Sequence, residues 1–389
     1  MSTLPTVRVS RKGADRVLGG HPWIFSSDVA GRGEARPGDV VRVADARGRA
    51  LGTAHYSSTS QITLRMLGDG VEEIGREFFL RRLGEAAEFR KRVVRDSQAC
   101  RLVHGEADRL PALVVDRYGD CLVLQALSQG MDRATPLIVE ALTSLFQPSS
   151  IVARNDASVR DRESLPRESG VLAGVDPGKI AVTMNGLRFH LEPLRGQKTG
   201  IFLDQRENYL AAARYGHGEA LDCFASSGGF AMHLAAKCSR VEAVDSAAEM
   251  LALAAENCRA NGIGNVSLKE ANAFDLLSGY VAAGRRFDTV ALDPPAFAKS
   301  RAAVDAAVRG YKEINLRALK LLGSGGILVT CSCSHHMSES MLLEVVAEAA
   351  LDAHRTLRVL ERRTQAQDHP ILLTVPETHY LKCLILEVV

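Results

Sequence analysis

The chain has 389 residues, 46% of them hydrophobic and 24% charged, with 48 Lys+Arg against 46 Asp+Glu and a formal net charge of +2. That is enough chain for two or three globular domains, and it excludes wholesale disorder and a strongly basic, histone-like binder. The eight cysteines follow no small secreted framework, the start MSTLPTVRVSRKGADR has no apolar core, and no apolar run approaches the ~20 residues of a membrane span, so a reduced, cytoplasmic, membrane-free protein is expected.

Residues 1–70 read as a small β-barrel of five or six strands. VRVS, PGDVVRVADARGRALGTAHY and SQITLRML alternate apolar and polar positions, with turns at Pro37-Gly38-Asp39 and Ala46-Arg47-Gly48. Residues 71–190 read as a central α+β domain of hairpins around a helix. REFFLRRLGEAAEFRKRVVRD has helical spacing, and strands LPALVVDRY and DCLVLQALS flank a turn at Tyr118-Gly119-Asp120. A helix ATPLIVEALTSLF and a strand SIVARND follow. A polar linker, DRESLPRESG, leads to the hairpin KIAVTMNGLRFHLEPL, which turns at Asn185-Gly186.

Residues 191–389 alternate strands (ALDCF, RVEAVD, NVSLKEA, FDTVALD, GGILVTCS) with helices of ten to twenty residues. The alternation predicts βαβ units in a doubly wound, Rossmann-like parallel sheet. The tail reads as two strands, ILLTVP and HYLKCLILEVV, pairing antiparallel at one edge. Basic residues cluster at Arg8, Arg11, Lys12 and Arg16, and at Arg81, Arg82, Arg90, Lys91, Arg92 and Arg95. They are either solvated faces or a surface for an RNA backbone.

The strand ends carry the chemistry. Ala220–Phe230 runs from a buried strand through the small-residue turn Ala-Ser-Ser-Gly-Gly into a helix, which lets a ligand approach the backbone. It is neither G-x-G-x-x-G nor a P-loop, so a nucleoside ligand without phosphates fits it better. Asp245 ends the second strand, where a carboxylate can accept both ribose hydroxyls, although Ser246 or the acid itself could equally cap a helix. Asn272 follows the third strand and offers either a donor–acceptor pair to an adenine edge or a loop cap. Asp293-Pro294-Pro295 stiffens the loop after the fourth strand and presents a carboxylate to a flat ring.

The fifth strand ends in Thr330-Cys-Ser-Cys-Ser-His-His336. A cysteine there is a candidate nucleophile, against the bland reading of an inert buried thiol. Zinc would need wider ligand spacing and a second pair, so no metal is expected.

In order, SSGGF, Asp245, NAF, DPPAF and GGILVTCSCS resemble the motifs of class I S-adenosylmethionine (SAM)-dependent methyltransferases. Over nearly the whole chain the sequence resembles the RlmI-type bacterial 23S ribosomal RNA (cytosine-5)-methyltransferases. The resemblance rests on His21-Pro-Trp-Ile-Phe25, similar to their N-terminal PUA domain, and on Arg101–Pro111 and Val115–Tyr118. It also rests on Gln197–Gly200, Asp204–Asn208, Asp368-His-Pro370 and Tyr380-Leu-Lys382.

The resemblance implies that SAM is held by Phe224, Ala225, Ser227 and Gly228, its ribose by Asp245, and its adenine by Asn272-Ala273. Gln197, Asp204 and Asp293 would also face the cofactor. It further implies Cys333 as the nucleophile and Asp293 as the acid that holds the target ring. Cys331 sits in a similar-looking Thr-Cys-Ser motif, but the register of the wider RNA family, seven residues past the second turn glycine (Gly326), selects Cys333. Pro295 occupies the slot where that family often has a second cysteine. The implied partner is large-subunit ribosomal RNA or a pre-ribosomal particle, and a homodimer stays open. The alternatives are an exocyclic-amine methyltransferase on RNA, which needs no cysteine, and a non-catalytic RNA-binding or ribosome-assembly protein.

Overall fold

The computed structural model describes residues 4–196, 201–298 and 301–389. It divides into two compact units: residues 1–182 with 191–201 and 367–378, and residues 183–190 with 202–366 and 379–389.

The first unit opens with β1 (Thr6–Val9), α1 (Arg11–Leu18), β2 (Trp23–Phe25), β3 (Val29–Gly31), β4 (Val40–Ala44), β5 (Ala50–Tyr56) and β6 (Ile62–Gly68). These strands form one sheet in the order β2-β6-β5-β4-β1-β3. Val7, Val9, Ile24, Val41, Val43 and Leu64 fill its interior, as the alternation predicts. Helix α1 is short and was not foreseen. Its signal is Ser10, whose hydroxyl accepts from the Gly13 amide as an N-cap.

The unit continues through α2 (Arg76–Val93), β7 (Ala99–His104), β8 (Leu113–Tyr118), β9 (Cys121–Ala126), α3 (Gln129–Phe146), β10 (Ser150–Asn155) and β11 (Glu168–Gly174). The sheet order is β11-β10-β9-β8-β7. Phe78, Phe79, Leu83, Ala86 and Ala87 of α2 face this sheet's core at helical spacing. Part of the expected linker is in fact an edge strand. Glu168–Gly174 pairs antiparallel with β10 and is mostly exposed, so its sequence never had to show a buried alternation.

A hairpin of β12 (Ile180–Met184) and β13 (Leu187–Leu191) carries the chain toward the second unit. Its turn has φ 55° at Asn185 and 78° at Gly186, the left-handed pair such a turn requires. Asn185 Nδ2 donates to the Arg206 carbonyl at 2.7 Å.

The second unit contains α4 (Arg206–Tyr215), β14 (Glu219–Cys223), α5 (Gly229–Ala235), β15 (Arg240–Asp245), α6 (Ala248–Ala260), β16 (Val266–Glu270) and α7 (Ala273–Ala282). It continues with β17 (Phe287–Leu292), α8 (Val304–Leu321), β18 (Leu322–Ser332), α9 (Glu339–Asp352), β19 (Leu357–Thr364) and β20 (Lys382–Val388). Seven strands lie in the order β16-β15-β14-β17-β18-β20-β19, parallel from β16 to β18 and antiparallel at β20 and β19. The expected doubly wound sheet is present.

The tail differs from expectation. HYLKCLILEVV supplies β20, but its partners are β18 and the unforeseen β19, and ILLTVP forms only an isolated bridge, Leu372 to Val375. Pro370 and Pro376 bracket that segment, and Leu373 is 98% exposed, so it has neither the ladder donors nor the burial of a strand. Among the described residues no helix is long and apolar enough to cross a membrane.

Part of the basic cluster is structural. Arg90 is buried, pairs with Asp108, and donates to the carbonyls of Arg101 (2.7 Å) and Asp368 (2.8 Å). Asp368 accepts in turn from the Arg101 amide at 2.8 Å, which ties the 367–378 segment to β7 within this unit. Arg82 is buried and donates to the Leu67 carbonyl, and Arg16 pairs with Asp28. Arg8, Arg11, Lys12, Arg81, Lys91, Arg92 and Arg95 are exposed. Arg90→Ala is expected to destabilise the protein by ~3–5 kcal/mol, since it strands Asp108 in a buried site. Lys91→Ala, at an exposed pair with Glu88, should cost under ~1 kcal/mol. Urea titration of both variants checks the contrast, and equal midpoints would contradict it.

Candidate active site

Strand β14 enters the turn to α5 through backbone that L-residues rarely adopt. Phe224 (φ 66°), Ser226 (φ 49°) and Gly228 (φ 88°) are all left-handed. Three contacts hold the turn. Asp222 Oδ2 accepts from the Ala231 amide at 2.8 Å, the Ala225 amide donates to the Val244 carbonyl at 3.0 Å, and Asp245 Oδ2 accepts from the Ser226 amide at 2.9 Å. Asn257 Nδ2 adds a bond to the Ser227 carbonyl at 3.0 Å. Gly229 must lack a side chain, because a Cβ there would lie 2.3 Å from the Tyr209 ring.

Asp245 ends β15, and its Oδ1 accepts from the Ala247 amide at 2.9 Å. The carboxylate thus bridges the turn and the entry to α6. Each oxygen retains a second lone pair for a hydroxyl. Asn272 caps α7, with Oδ1 accepting from the amides of Phe274 (2.9 Å) and Asp275 (3.4 Å). Its oxygen is therefore committed locally, and only Nδ2 remains for a base edge. Ala273 is buried, and Phe224 is half-buried against the core. Asp204 accepts from the Tyr380 hydroxyl at 2.7 Å. Gln197 lies outside the described residues.

The ends of β17 and β18 lie side by side, Leu292 opposite Thr330, so Asp293 and the Cys331–Ser334 stretch share one sheet edge. Asp293 Oδ1 accepts from Gln205 Nε2 at 3.0 Å. Gln205 Oε1 accepts from Asn208 Nδ2 at 2.7 Å, and Asn208 Oδ1 accepts from Arg363 Nε at 2.9 Å. Every donor in this line points toward the carboxylate, so its orientation is set through two buried amides. Asp222 is wholly buried nearby, and burial, then the charge of Asp293, pushes its carboxyl well up. Burial raises the Tyr209 phenol well above its ordinary value, with Asp293 adding to it.

The two cysteines differ. Cys331 is inside β18, fully buried and opposite Cys383 on β20, and burial and then that neighbour push its thiol well up. Cys333 lies one residue past the end of β18 and is partly exposed. Around it Tyr311 Oη bonds the hydroxyls of Ser332 (2.9 Å) and Ser334 (3.0 Å), which fixes the chain on either side. Gln205, Asn208, Tyr209 and Tyr311 were not singled out from the sequence, because their roles come from strand and helix ends that meet only in the fold. Among the described residues no group of three His, Cys, Asp or Glu side chains is placed to hold a metal.

A parallel sheet with a left-handed small-residue turn after its first strand and carboxylates at the neighbouring strand ends defines a Rossmann-like methyltransferase domain. The description "S-adenosylmethionine-dependent methyltransferase" matches residues 159–385, and "PUA-like domain" matches residues 7–69. Ribosomal RNA large subunit methyltransferase I of Shewanella denitrificans is 39% identical over 378 residues, 95% of each chain. That of Klebsiella pneumoniae is 37% identical over 390 residues, 98% of each. A solved structure described as a SAM-dependent methyltransferase from Streptococcus mutans superposes with a TM-score of 0.84 at 19% identity, over 99% of this chain and 100% of that one. The chain belongs to the ribosomal RNA large subunit methyltransferase I family, and its cofactor is SAM.

The turn suits that cofactor. Asp222 Oδ1 and Ser226 Oγ are buried without a partner among the described residues. Asp245→Ala is expected to weaken SAM binding by ~1–3 kcal/mol, the range of hydrogen bonds to a charged group. Calorimetry on the folded variant measures it. Unchanged affinity would assign Asp245 to holding the turn alone.

Proposed function

We propose that this protein transfers the methyl group of SAM to C5 of a cytosine in large-subunit ribosomal RNA, through a covalent bond between Cys333 and C6 of the base. Kinship with curated large-subunit RNA methyltransferases supports the RNA substrate, and the PUA-like barrel supports a role in presenting it. The observation that carries the C5 chemistry is the pair of neighbouring strand ends, one bearing Asp293 and the other a partly exposed cysteine.

Cytosine C5 is a poor nucleophile. Addition of the Cys333 thiolate to C6 forms an S–C6 bond and turns C5 into an enamine carbon. Asp293 in its acid form, held by Gln205, engages the N3–N4 edge of the ring and gives its proton to N3, where the negative charge builds. When bound, SAM supplies an electrophilic methyl group to C5, with Phe224, Ala225, Ser227, Gly228, Asp245, Asn272 and Ala273 as its holding residues. Loss of the C5 proton to water then drives the S–C6 electron pair back onto Cys333, and N3 returns its proton to Asp293. Because Pro295 fills the slot of a second cysteine, Cys333 serves both addition and elimination. The exposed cations Arg8, Arg11, Lys12, Arg92 and Arg95 are the candidates for phosphate contacts.

Cys333→Ala should abolish transfer of labelled methyl from SAM to large-subunit RNA while leaving SAM affinity intact, and Cys331→Ala should keep most of the turnover. Nucleoside analysis of the product should show 5-methylcytosine. Methyl on an exocyclic amine, with an active Cys333→Ala, would favour the amine methyltransferase. No transfer at all by a SAM-competent protein would favour a binding role.

A further inference from the structure

Lys382 is the first residue of β20 and only 2% exposed. Its ammonium donates to the carbonyls of Ser334 (2.7 Å) and Tyr380 (2.8 Å), and it forms no ion pair among the described residues. A buried cation without a carboxylate is costly, and proteins retain one where a counter-charge forms. Glu339, the carboxylate that Lys382 senses at longer range, is committed to Arg362. The group that can become an anion beside Lys382 is Cys333. Ser334, whose carbonyl holds the ammonium, is the residue next to it, and Ser332 is the cross-strand partner of Lys382. Ser334 is itself fixed, its hydroxyl bound to Tyr311 and accepting from the Ala298 amide at 3.3 Å.

We propose that Lys382 is a positioning residue that holds Cys333 as a thiolate before RNA arrives, the buried ammonium pairing with the partly exposed thiolate. The thiol proton leaves to solvent when the pair forms, so no base has to take it during addition to C6. When the sulfur electrons pass to the ring, the ammonium stays in place to receive the thiolate on elimination. Burial lowers the Lys382 ammonium to about 8, and the Cys333 charge opposes that fall, so the cation persists at neutral pH. Among the groups that act on this pair are Tyr311, which senses Cys333, and Glu339, which Lys382 senses. Cys331 and Cys383 lie opposite each other on the same strands, and burial pushes the Cys331 thiol well up.

This inference rests on Cys333 being the nucleophile, but its deciding test, the alkylation profile, uses no RNA and no methyl transfer. The full-length protein is alkylated with iodoacetamide from pH 5.5 to 9.5, and the rate at Cys333 is read by fragment-ion mass spectrometry. In the wild type the midpoint should fall clearly below the ~8.5 of an ordinary thiol. In Lys382→Met it should rise by about one unit or more, with roughly a tenfold loss of rate at pH 6.5, and Lys382→Arg should stay near the wild type. The kcat of Lys382→Met should fall at pH 7 and recover as pH rises, with KM for RNA unchanged, which a merely structural loss would not produce. A wild-type midpoint at or above 8.5 would overturn the proposal even if the Met variant fails to fold. So would superimposable profiles of wild type and Lys382→Met. Retained methyl transfer by Cys333→Ala would instead refute the nucleophile assignment and leave the alkylation result standing.

Discussion

The hydrogen bond from the Ala231 amide to the buried Asp222 carboxyl ties the first turn of α5 back onto β14. With the helix start clamped so close to the strand end, the connecting residues must pass through left-handed backbone at Phe224, Ser226 and Gly228. Only small residues and a bare Gly229 fit against Tyr209 there. Backbone groups are left at the sheet's carboxyl edge, where ligands bind in open α/β folds. Asp245 then serves two ends, bonding the Ser226 amide of the turn and the Ala247 amide ahead of α6. The proposed cofactor cradle is therefore a consequence of how strand and helix are joined.

The same edge crowds carboxylates. Burial, and then the charge of Asp293, pushes the Asp222 carboxyl well up. Asp293 is instead supported by a directed line of amides that begins at the Arg363 guanidinium. The thiols divide similarly. Cys331 faces Cys383 inside the sheet, where burial pushes the Cys331 thiol well up, while Cys333 escapes the ladder by one residue. The position of β20 matters here, because inserting it between β18 and β19 buries Lys382 next to the cysteine loop.

Much of this was legible in the sequence wherever a local signal existed. The segments RVEAVD and FDTVALD read as strands from their alternation with helices, and β15 (Arg240–Asp245) and β17 (Phe287–Leu292) fall on them. The Asn185-Gly186 turn and the left-handed small-residue turn announce themselves by composition. What stayed hidden lacked such a signal. The strand β19, LRVLERRT, is an edge with its charges in solvent, and it shows no buried face. ILLTVP looked like a strand because hydrophobicity alone does not report that its flanking prolines leave Leu373 in solvent. Arg90 looked like surface charge because its partner Asp108 and the Asp368 carbonyl come from distant positions. Asn272 could be read two ways, and the helix start claims its oxygen.

The central claim is that Cys333 forms a bond to the cytosine ring. It is tested most directly by incubating the wild-type protein with SAM and large-subunit RNA carrying 5-fluorocytosine, in which fluorine at C5 blocks elimination. The expected result is a stable protein–RNA adduct whose proteolytic fragments place the nucleotide on Cys333 and carry one added methyl group. An adduct on Cys331, or full binding with no covalent species at all, would contradict the account.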